Sequence, residues 1–554
     1  MPDNSTPSMP PPSARASGAG APGATSRFHP LALALLLVGA LVVLLAHLES
    51  TVRHTDRSVF NADAGEYAVA GRQLARTGRL ATIHTWPGQL TRPLRPPFPV
   101  VVGQPLVPLT DAALFAIGGE RPGLVLVLPG LAYLAVVGLT ALLAMRVTGS
   151  RAAGWLAGAS VALAPSVLRY ATEGLTEMPF TAFLTAALVL LWDVPHRPRF
   201  ALLGLCLGLA QLTRPTMPYL LPAFVGGVLL MAPPGRRLRG TLVMLAVYLP
   251  AFAAFPLYHL VTAGGAGADP AHYNLLVGLK PEFAPWRVHR WIHPYEPWGY
   301  VLAHPLAVVR KVVGSGASVL RSVLAPENPV LGFLFVVYLV SPTASRTASW
   351  FRATVAALLG LTVGLLTLTL PDARYCMPLW PAAIALATGE AWRLIRLRNN
   401  RPWVTAALCA ILIPLALGVD TARVWQQAWH SGVPARGGFQ ESEWRGLGRE
   451  LAARVPRDAV VVSDVGTWMS WYADRVTLAL PDNPAELRAC EERLPLDAML
   501  LSNEWVINLP ESAPWRALYG GTATLPGWVR ADSLSSGRLR AVLFLRAKGA
   551  PQGS

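Results

Sequence analysis

Two pairs of carboxylates lie close to the starts of apolar segments. Asp63 and Glu66 follow the first apolar run, and Glu173 and Glu177 precede a later one. Spacings of three and four residues would place the members of each pair on one side of a helix, where a carboxylate can take a proton from a hydroxyl group. A structural alternative stays open for both pairs. Asp63 could cap a helix with Glu66 as its reciprocal partner, and the later pair could be acids favoured by a helix dipole.

Arginines lie beside the same apolar segments. Arg214 is in a short turn between two apolar runs, and Arg374 lies just before another run, with Asp372 beside it. Guanidinium groups bind phosphate oxygens in bidentate fashion. A cleft with carboxylates and arginines therefore suits a substrate that is part hydroxyl acceptor and part phosphate. The alternative for Arg374 is an ion pair with Asp372 that only stabilises the turn.

The remaining polar candidates are less specific. His84 lies in the stretch 49–122, and His272 and Tyr273 lie in the stretch 261–328, both between apolar runs. A lone histidine in such a loop is more often structural than catalytic. The four cysteines are scattered and fit neither a metal site nor a disulfide framework. No H-x-x-H or Asp-x-Asp spacing calls for a metal, although a divalent ion among the acids is possible. There is no nucleotide-binding fingerprint such as G-x-G-x-x-G or a P-loop.

The composition is that of a polytopic α-helical membrane protein. The 554 residues are 53% hydrophobic and 14% charged, whereas soluble proteins carry about 25% charged residues. The formal net charge is +16, which in a soluble protein would suggest nucleic acid. Here arginine at loop ends orients membrane spans and suits anionic lipid headgroups. We therefore expect the protein to interact with the lipid bilayer and not with nucleic acid.

About eleven apolar runs approach the length of a membrane span, roughly 17–25 residues. With the N-terminus inside, every cytoplasmic connection carries arginine, and Asp193 is the only acid among them. This agrees with the positive-inside rule. The same alternation puts both carboxylate pairs, Arg214 and Arg374 on the extracytoplasmic side. The runs lie near 31–48, 123–145, 152–168, 177–192, 200–213, 217–231, 239–260, 329–341, 353–370, 376–392 and 403–420.

Three regions follow from these patterns. Residues 1–28 are rich in Pro, Ser, Ala and Gly and predict a disordered cytoplasmic tail. Residues 29–420 form the membrane domain, with external loops 49–122 and 261–328. The sequence predicts an amphipathic helix at 65–77 in the first loop and, in the second, an amphipathic segment at 300–325 that is expected on the membrane surface.

Residues 421–554 predict an extracytoplasmic soluble α/β module. Two β-branched runs, 458–465 and 475–481, are typical of strands, and "NPAELRACEERL" is typical of a helix that follows them. "DAMLLSNEW" and "RLRAVLFLRA" indicate two further strands. We expect this module to be structural or to act as a lid that recognises an acceptor.

Several motifs resemble those of one enzyme family. "DAGEYAVAGRQLARTG" resembles an acid just outside a first span followed by a tyrosine, and "LRPPFPV" resembles the basic, proline-rich stretch of the same loop. "LTEMPFTAF", "GLAQLTRPT" and "ARYCMPLWPAAIAL" resemble later motifs in the same order. The family is the GT-C membrane glycosyltransferases, in the branch with protein O-mannosyltransferases and lipid A aminoarabinose transferases. Many relatives carry two adjacent acids at the first site, whereas here the second acid comes at Glu66.

The resemblance implies a fold, an activity and a set of roles. The enzyme would move a sugar from a polyprenyl-phosphate donor to a glycan, lipid or protein acceptor by inverting displacement, at the extracytoplasmic face of the cytoplasmic (inner) membrane. Asp63 would be the general base, and Arg214 and Arg374 would stabilise the departing phosphate. The remaining candidates for substrate binding are Glu66, Tyr67, Arg95, Glu173, Glu177, His272, Asp372 and Tyr375.

Two other functions remain open. A transporter or flippase of lipid-linked or anionic substrates predicts ionisable residues within spans and inverted repeats, and the sequence displays neither pattern. A non-catalytic subunit of a cell-envelope assembly would use the C-terminal module for binding. Sugar transfer by the purified protein separates both from the enzyme.

Overall fold

The computed structural model describes most of the chain between residues 30 and 547. The segments outside the description are 1–29, 51–55, 57, 91–92, 101–103, 263–269, 281–282, 285–286, 288, 293–295, 325–328, 344, 399–403, 405–406, 408–438, 505–512 and 548–554, together with the side chains of residues 270, 271, 272 and 398. The predicted tail 1–28 and the predicted span 403–420 therefore lie outside the described residues, apart from isolated positions in the latter.

Helices make up most of the described chain. Those before residue 263 are α1 (Pro30–Leu48), α2 (Ala62–Thr77), α3 (Leu106–Gly118), α4 (Val127–Thr148), α5 (Arg151–Leu163), α6 (Pro165–Ala171), α7 (Glu177–Asp193), α8 (Phe200–Gln211), α9 (Met217–Met231) and α10 (Arg237–Thr262). Those that follow are α11 (Pro297–Ala303), α12 (Pro305–Leu324), α13 (Pro329–Val340), α14 (Arg346–Leu368), α15 (Trp380–Arg398), α16 (Glu441–Arg454), α17 (Gly466–Tyr472), α18 (Pro484–Glu491) and α19 (Ala513–Tyr519). Short 3₁₀ helices include Pro270–Leu275 and Ala373–Leu379.

The apolar runs predicted between residues 31 and 392 all lie in helices. The run at 152–168 is divided by Pro165, which begins α6. Local sequence explains the tight connection of α4 to α5: Gly149 ends α4 in the left-handed conformation, φ 69°, and the side chain of Ser150 accepts a hydrogen bond from the Ala153 N–H.

Four helices among the described residues are long and apolar enough to cross a membrane, or five if α12 and α13 form one span. They are α1, Pro122–Thr148, Pro234–Thr262 and α14. The chain is therefore a multi-pass membrane protein, and the count of about eleven spans stays a prediction. The amphipathic segment at 300–325 forms α11 and α12, and α12 exposes Leu306, Val309 and Val313.

The strands are short and lie in two sheets. They are β1 (Ala81–Thr82), β2 (His84–Thr85), β3 (Phe98–Pro99), β4 (Val460–Ser463), β5 (Val476–Ala479), β6 (Ala498–Ser502), β7 (Trp528–Ser536) and β8 (Leu539–Arg546). β1 and β3 form an antiparallel pair, and the other six form one sheet in the order β2-β5-β4-β6-β8-β7. β2, β5, β4 and β6 run parallel to one another, β8 pairs antiparallel with β6, and β7 pairs antiparallel with β8.

The predicted class, a polytopic helical membrane protein with a C-terminal α/β module, is confirmed. Within that module, β4 places Val460 and Val462 in one apolar layer and Val461 in the other, as a strand buried on both faces requires. Sequence reasoning missed β2, an edge strand of this sheet that comes from the first loop, 49–122. It pairs in parallel with β5, with His84 opposite Thr477. The domain boundary at residue 421 stays a prediction.

Candidate active site

Helix α2 holds Asp63 and Glu66 near its start. The N-cap is Asn61, whose Oδ1 accepts a hydrogen bond from the Ala64 N–H at 2.9 Å. The capping role considered for Asp63 is therefore wrong, because Asn61 takes it. Asp63 lies in the first turn of α2 with its side chain 39% exposed, so its carboxylate is available for other contacts.

Four charged side chains from distant parts of the chain meet beside this helix start. Nη2 of Arg374 lies 2.6 Å from Oδ2 of Asp63, and Nε of Arg374 lies 3.3 Å from Oε1 of Glu177. Nη1 of Arg214 lies 2.8 Å from the same Glu177 oxygen. Glu177 is 1% exposed, so it needs these two cations. We call Asp63, Glu177, Arg214 and Arg374 the ion cluster.

Tyr375 orders both arginines of the ion cluster. Nη2 of Arg374 donates a hydrogen bond to the Tyr375 hydroxyl at 3.0 Å. The guanidinium groups of Arg214 and Arg374 lie 4.6 Å and 4.9 Å from the centre of its ring. Burial opposes the charged form of Arg374, but Asp63, Tyr375 and Glu177 together raise its pKa above the usual value. Arg374 therefore stays a cation.

Three local structures position the ion cluster. Glu177 is the first residue of α7, and Arg214 lies in the turn between α8 and α9. Arg374 is in the 3₁₀ helix Ala373–Leu379, whose N-cap is Asp372. The Asp372 Oδ1 accepts a hydrogen bond from the Arg374 backbone N–H at 2.9 Å. Asp372 thus orients the segment, while the Arg374 side chain contacts Asp63 and Glu177 instead of pairing with Asp372.

The second carboxylate pair does not act as a pair. Helix α6 ends at Ala171 and α7 begins at Glu177, so Glu173 lies in the turn between two helices. The prediction that Glu173 and Glu177 share one helical face is therefore wrong. Oε1 of Glu173 accepts a hydrogen bond from Nε of Arg169 at 2.9 Å.

Glu66 occupies a separate, drier position beside the ion cluster. Its Oε1 accepts a hydrogen bond from Nε1 of Trp86 at 2.8 Å, and Nε2 of His84 lies 4.0 Å from the same oxygen. Burial raises the pKa of Glu66 to about 8, and the charge of Asp63 adds to this. Trp86 was missed in the sequence, which offered no signal for this contact.

His84 is a neutral imidazole whose orientation follows from its hydrogen bonds. Nδ1 of His84 lies 2.7 Å from Oγ1 of Thr477, and this hydroxyl also lies 3.0 Å from the carbonyl of Gly466 and 2.6 Å from Oγ of Ser470. When Thr477 donates to Gly466 it accepts from Nδ1, and Nε2 then carries a lone pair towards Glu66. Burial lowers the pKa of His84 to about 3, and a neutral Glu66 is the state compatible with this neighbour.

The other predicted site residues lie in varied surroundings. Burial raises the pKa of Tyr67 well above its usual value, and the charges of Asp63 and Glu177 raise it further, so Tyr67 lies within the field of the ion cluster. Arg95 is exposed, just before β3. The backbone of His272 is in the 3₁₀ helix Pro270–Leu275, but its side chain lies outside the described residues. Tyr273, a weaker candidate, is buried.

One segment of the chain matches a known protein family. Residues 99–259 match the family model described as dolichyl-phosphate-mannose-protein mannosyltransferase. This segment includes Glu177 and Arg214, whereas Asp63 and Arg374 lie outside it. No curated protein sequence matches the chain.

Solved structures match over nearly the whole chain. ArnT from Cupriavidus metallidurans bound to undecaprenyl phosphate is 13% identical, with a TM-score of 0.51, over 94% of this chain and 99% of ArnT. The archaeal oligosaccharyltransferase AglB from Archaeoglobus fulgidus, in complex with an inhibitory peptide and a dolichol-phosphate, is 14% identical, with a TM-score of 0.55, over 85% of this chain and 69% of AglB. The chain has the fold of the GT-C membrane glycosyltransferases.

In this GT-C fold, a cavity lies against the segment of chain that leads into Arg374. Its volume is about 770 Å³, and its wall includes Asp372 and Ala373, the two residues before Arg374. The rest of the wall comes from residues 277–280, 283 and 284, from α12 and from Leu370 and Pro371. Lys280 lies 5.7 Å and 5.1 Å from the ring centres of Phe283 and Tyr300.

A metal site is not evident in the described part of this GT-C chain. No group of three or more His, Cys, Asp or Glu side chains is placed there to hold an ion. The carboxylates of the ion cluster contact guanidinium groups instead. The ion cluster can therefore bind an anion through its arginines and accept a proton through Asp63.

Proposed function

We propose that this protein is a glycosyltransferase that moves a sugar from a polyprenyl-phosphate donor to an extracytoplasmic acceptor. The observation that carries the proposal is the ion cluster, in which an accessible carboxylate, Asp63, lies against the guanidinium of Arg374 at 2.6 Å. One half of this pair suits a hydroxyl acceptor and the other half suits a phosphate. The cavity of about 770 Å³, whose wall includes the two residues before Arg374, offers room for a bound substrate.

The donor class is supported by the comparisons and by the chemistry of the arginines. ArnT is described as bound to undecaprenyl phosphate, and AglB as bound to a dolichol-phosphate. Arg214 and Arg374 would bind the phosphate oxygens of such a lipid here. Because the chain is a multi-pass membrane protein, a lipid-linked donor can reach the ion cluster from the bilayer. The proposed location is the cytoplasmic (inner) membrane, with the ion cluster on its outer side.

The reaction would be a single inverting displacement at the anomeric carbon. The acceptor oxygen forms a bond to that carbon while the bond from the carbon to the lipid phosphate oxygen breaks. Asp63 takes the proton of the acceptor hydroxyl, and the lipid phosphate leaves with the bonding electron pair. Phosphate is a good leaving group, so no general acid is required, and Arg214 and Arg374 stabilise its added charge.

Binding of the donor would also release the base. A carboxylate engaged by a guanidinium is poorly available to accept a proton, and Asp63 is engaged by Arg374. Phosphate oxygens compete for the same guanidinium, so the arriving donor frees Asp63 to accept the proton. Glu66, Tyr67, Glu177 and Tyr375 would orient the reacting groups. Arg95, Glu173, His272 and Asp372 stay predictions as substrate contacts, as does a divalent metal.

The test is turnover of the purified protein with a panel of polyprenyl-phosphate sugars, measured as released lipid phosphate. We expect release with at least one donor in the presence of an acceptor. Asp63→Asn should lower the rate by about 10²–10⁴-fold while donor binding is kept. A matched control is Glu120→Gln, because Glu120 is an exposed carboxylate that contacts Arg76 near the other end of α2.

Two results would contradict the proposal. Full transfer by Asp63→Asn would exclude this residue as the base. No release with any donor, together with movement of lipid-linked substrate across proteoliposomes, would instead favour a transporter or flippase.

A further inference from the structure

Helix α17 of the C-terminal domain lies directly against the helix that carries Asp63 and Glu66. Phe60, just before α2, contacts Trp471 of α17 edge to face, with ring centres 5.1 Å apart. The two helices remain in contact along α2. The residues that meet are about 400 positions apart in the sequence, as the hydrogen bond between Arg72 and Trp471 shows with a separation of 399.

The two helices approach each other closely at Gly65. This residue lies between Asp63 and Glu66 and is buried, and a Cβ added there would lie 2.6 Å from Cγ2 of Thr467. Ordinary contacts of a Cβ begin at 3.4 Å, and the next nearest atoms are Cβ of Thr467 at 3.8 Å and Cβ of Phe60 at 3.9 Å. Only glycine therefore allows α17 to lie this close to the two carboxylates, and a single methyl group is the obstacle.

Arg72 binds the second half of α2 to α17 through hydrogen bonds. Its Nη1 donates to the carbonyl of Trp471 at 2.8 Å and its Nη2 to that of Ser470 at 2.5 Å. These carbonyls belong to the last turn of α17, where a cation is favoured. Nη2 also lies 3.1 Å from Asp474, and Arg72 is only 3% exposed. A guanidinium buried to this extent needs these partners, so Arg72 holds α2 and α17 in one relative orientation.

The sheet of the C-terminal domain reaches Glu66 by a second route. β2 is the edge strand of that sheet, and His84 pairs with Thr477 of β5 through both backbone register and side chain. Trp86 follows β2 directly and donates to the Glu66 carboxylate. The C-terminal domain thus contacts α2 at Gly65, beside Asp63, and its sheet pairs with the strand that precedes Trp86, the partner of Glu66.

We propose that the C-terminal domain positions the carboxyl groups of α2 for the transfer reaction. The positioning residues are Gly65 and Arg72 of α2, through which the domain contacts this helix. The domain is then part of the catalytic unit and not a separate module for binding an acceptor. This inference rests on the proposed function for its effect on turnover. Its effect on α2 is independent of that function.

The decisive experiment uses Gly65→Ala and a second variant that removes the clash. The added methyl must separate Gly65 from Thr467 by about 1 Å, and a misplacement of that size can cost about 100-fold in rate. We expect kcat to fall about 100-fold with a much smaller change in the KM of the donor, because Arg214 is held on other elements. Alanine favours a helix more than glycine does, so the loss cannot come from helix propensity.

Thr467→Ser is the matched partner because it keeps the hydroxyl and removes only Cγ2. Alone it should change kcat less than threefold, and combined with Gly65→Ala it should restore most of the lost activity. Rescue in the double variant supports positioning, since a general loss of folding would not be repaired by a smaller side chain elsewhere. A loss in Gly65→Ala that Thr467→Ser leaves unchanged would overturn the proposal, as would full activity in Gly65→Ala.

Amide hydrogen exchange of residues 62–77 in the full-length protein separates this inference from the proposed function. Gly65→Ala should speed exchange in the first turns of α2, and the double variant should return it to the wild-type rate. Arg72→Gln should speed exchange in the last turns, and Arg72→Lys should do so less. If the wild type transfers no sugar, the proposed function fails, while unchanged exchange in Gly65→Ala would overturn the positioning itself.

Discussion

Glu66 offers a quantitative test of how the site is built, because its pKa of about 8 lies far from the usual 4.5. The cause is burial first and the charge of Asp63 second, while the hydrogen bond from Trp86 acts in the opposite direction. A raised carboxyl pKa means that the folded protein holds a proton that the unfolded chain releases. The stabilisation is fully present below pH 4.5 and is lost as the pH rises through about 8.

The size of the effect follows from the two pKa values. Each pH unit between them changes the free energy of unfolding by about 1.4 kcal/mol. Between pH 5 and pH 8 the contribution of Glu66 to stability should therefore fall by on the order of 3.5 kcal/mol. In Glu66→Gln the side chain cannot ionise, and its amide oxygen can still accept the hydrogen bond from Trp86.

The measurement is the thermal unfolding midpoint, Tm, of both proteins in detergent at pH 5, 6, 7 and 8. We expect similar values at pH 5 and an increasing advantage of Glu66→Gln as the pH rises. The comparison is needed because other buried groups also change stability in this range: burial raises the pKa of Asp464 to about 6 and that of Glu504 to about 7, which lowers stability as the pH rises, and it lowers the pKa of His84 to about 3, which acts in the opposite direction. Glu120→Gln should follow the wild type. Parallel loss of stability in wild type and Glu66→Gln would refute the reasoning.

Two further substitutions test the packing around the site. Lys311→Met should lower Tm by an amount that corresponds to about 1–3 kcal/mol, because the Lys311 ammonium donates to the carbonyls of Leu275, Leu368 and Thr369. The control is Arg310→Met, since Arg310 is an exposed neighbour. Equal Tm values for the two variants would contradict the role given to Lys311. Glu177→Gln should cost about 3–5 kcal/mol, since it leaves two guanidinium groups without their shared buried anion, and an unchanged Tm would contradict that contact.

The parts of the fold that sequence predicted are those that local patterns encode. A run of apolar residues specifies a buried or lipid-facing helix without regard to its partners, so the helices at the apolar runs between residues 31 and 392 were predictable, whereas α3, in the first loop, was missed. Sidedness was also informative, because alternation of the runs put Asp63, Glu177, Arg214 and Arg374 on one face, and the structure brings these four together.

What sequence could not supply are contacts between distant segments. Arg374 and Asp63 are 311 residues apart, and the nearby Asp372 was the more obvious partner for Arg374. β2 is two residues long, too short for any periodic pattern, and it is a strand only because the edge of a distant sheet is open to it. Trp86, Arg72 and Gly65 owe their roles to that same long-range contact.

The charges of the site explain why Glu66 should be held neutral. The ion cluster contains two carboxylates and two guanidinium groups, so it is balanced before a donor arrives. A lipid phosphate adds negative charge, and an ionised Glu66 would add a third carboxylate close to Asp63, which already raises the pKa of Glu66. A negative charge on Glu66 would repel the phosphate and weaken its binding in a partly dry site. A neutral Glu66, facing the lone pair of His84 and bound by Trp86, leaves both arginines to the phosphate. It also leaves Asp63 as the carboxylate that takes the proton.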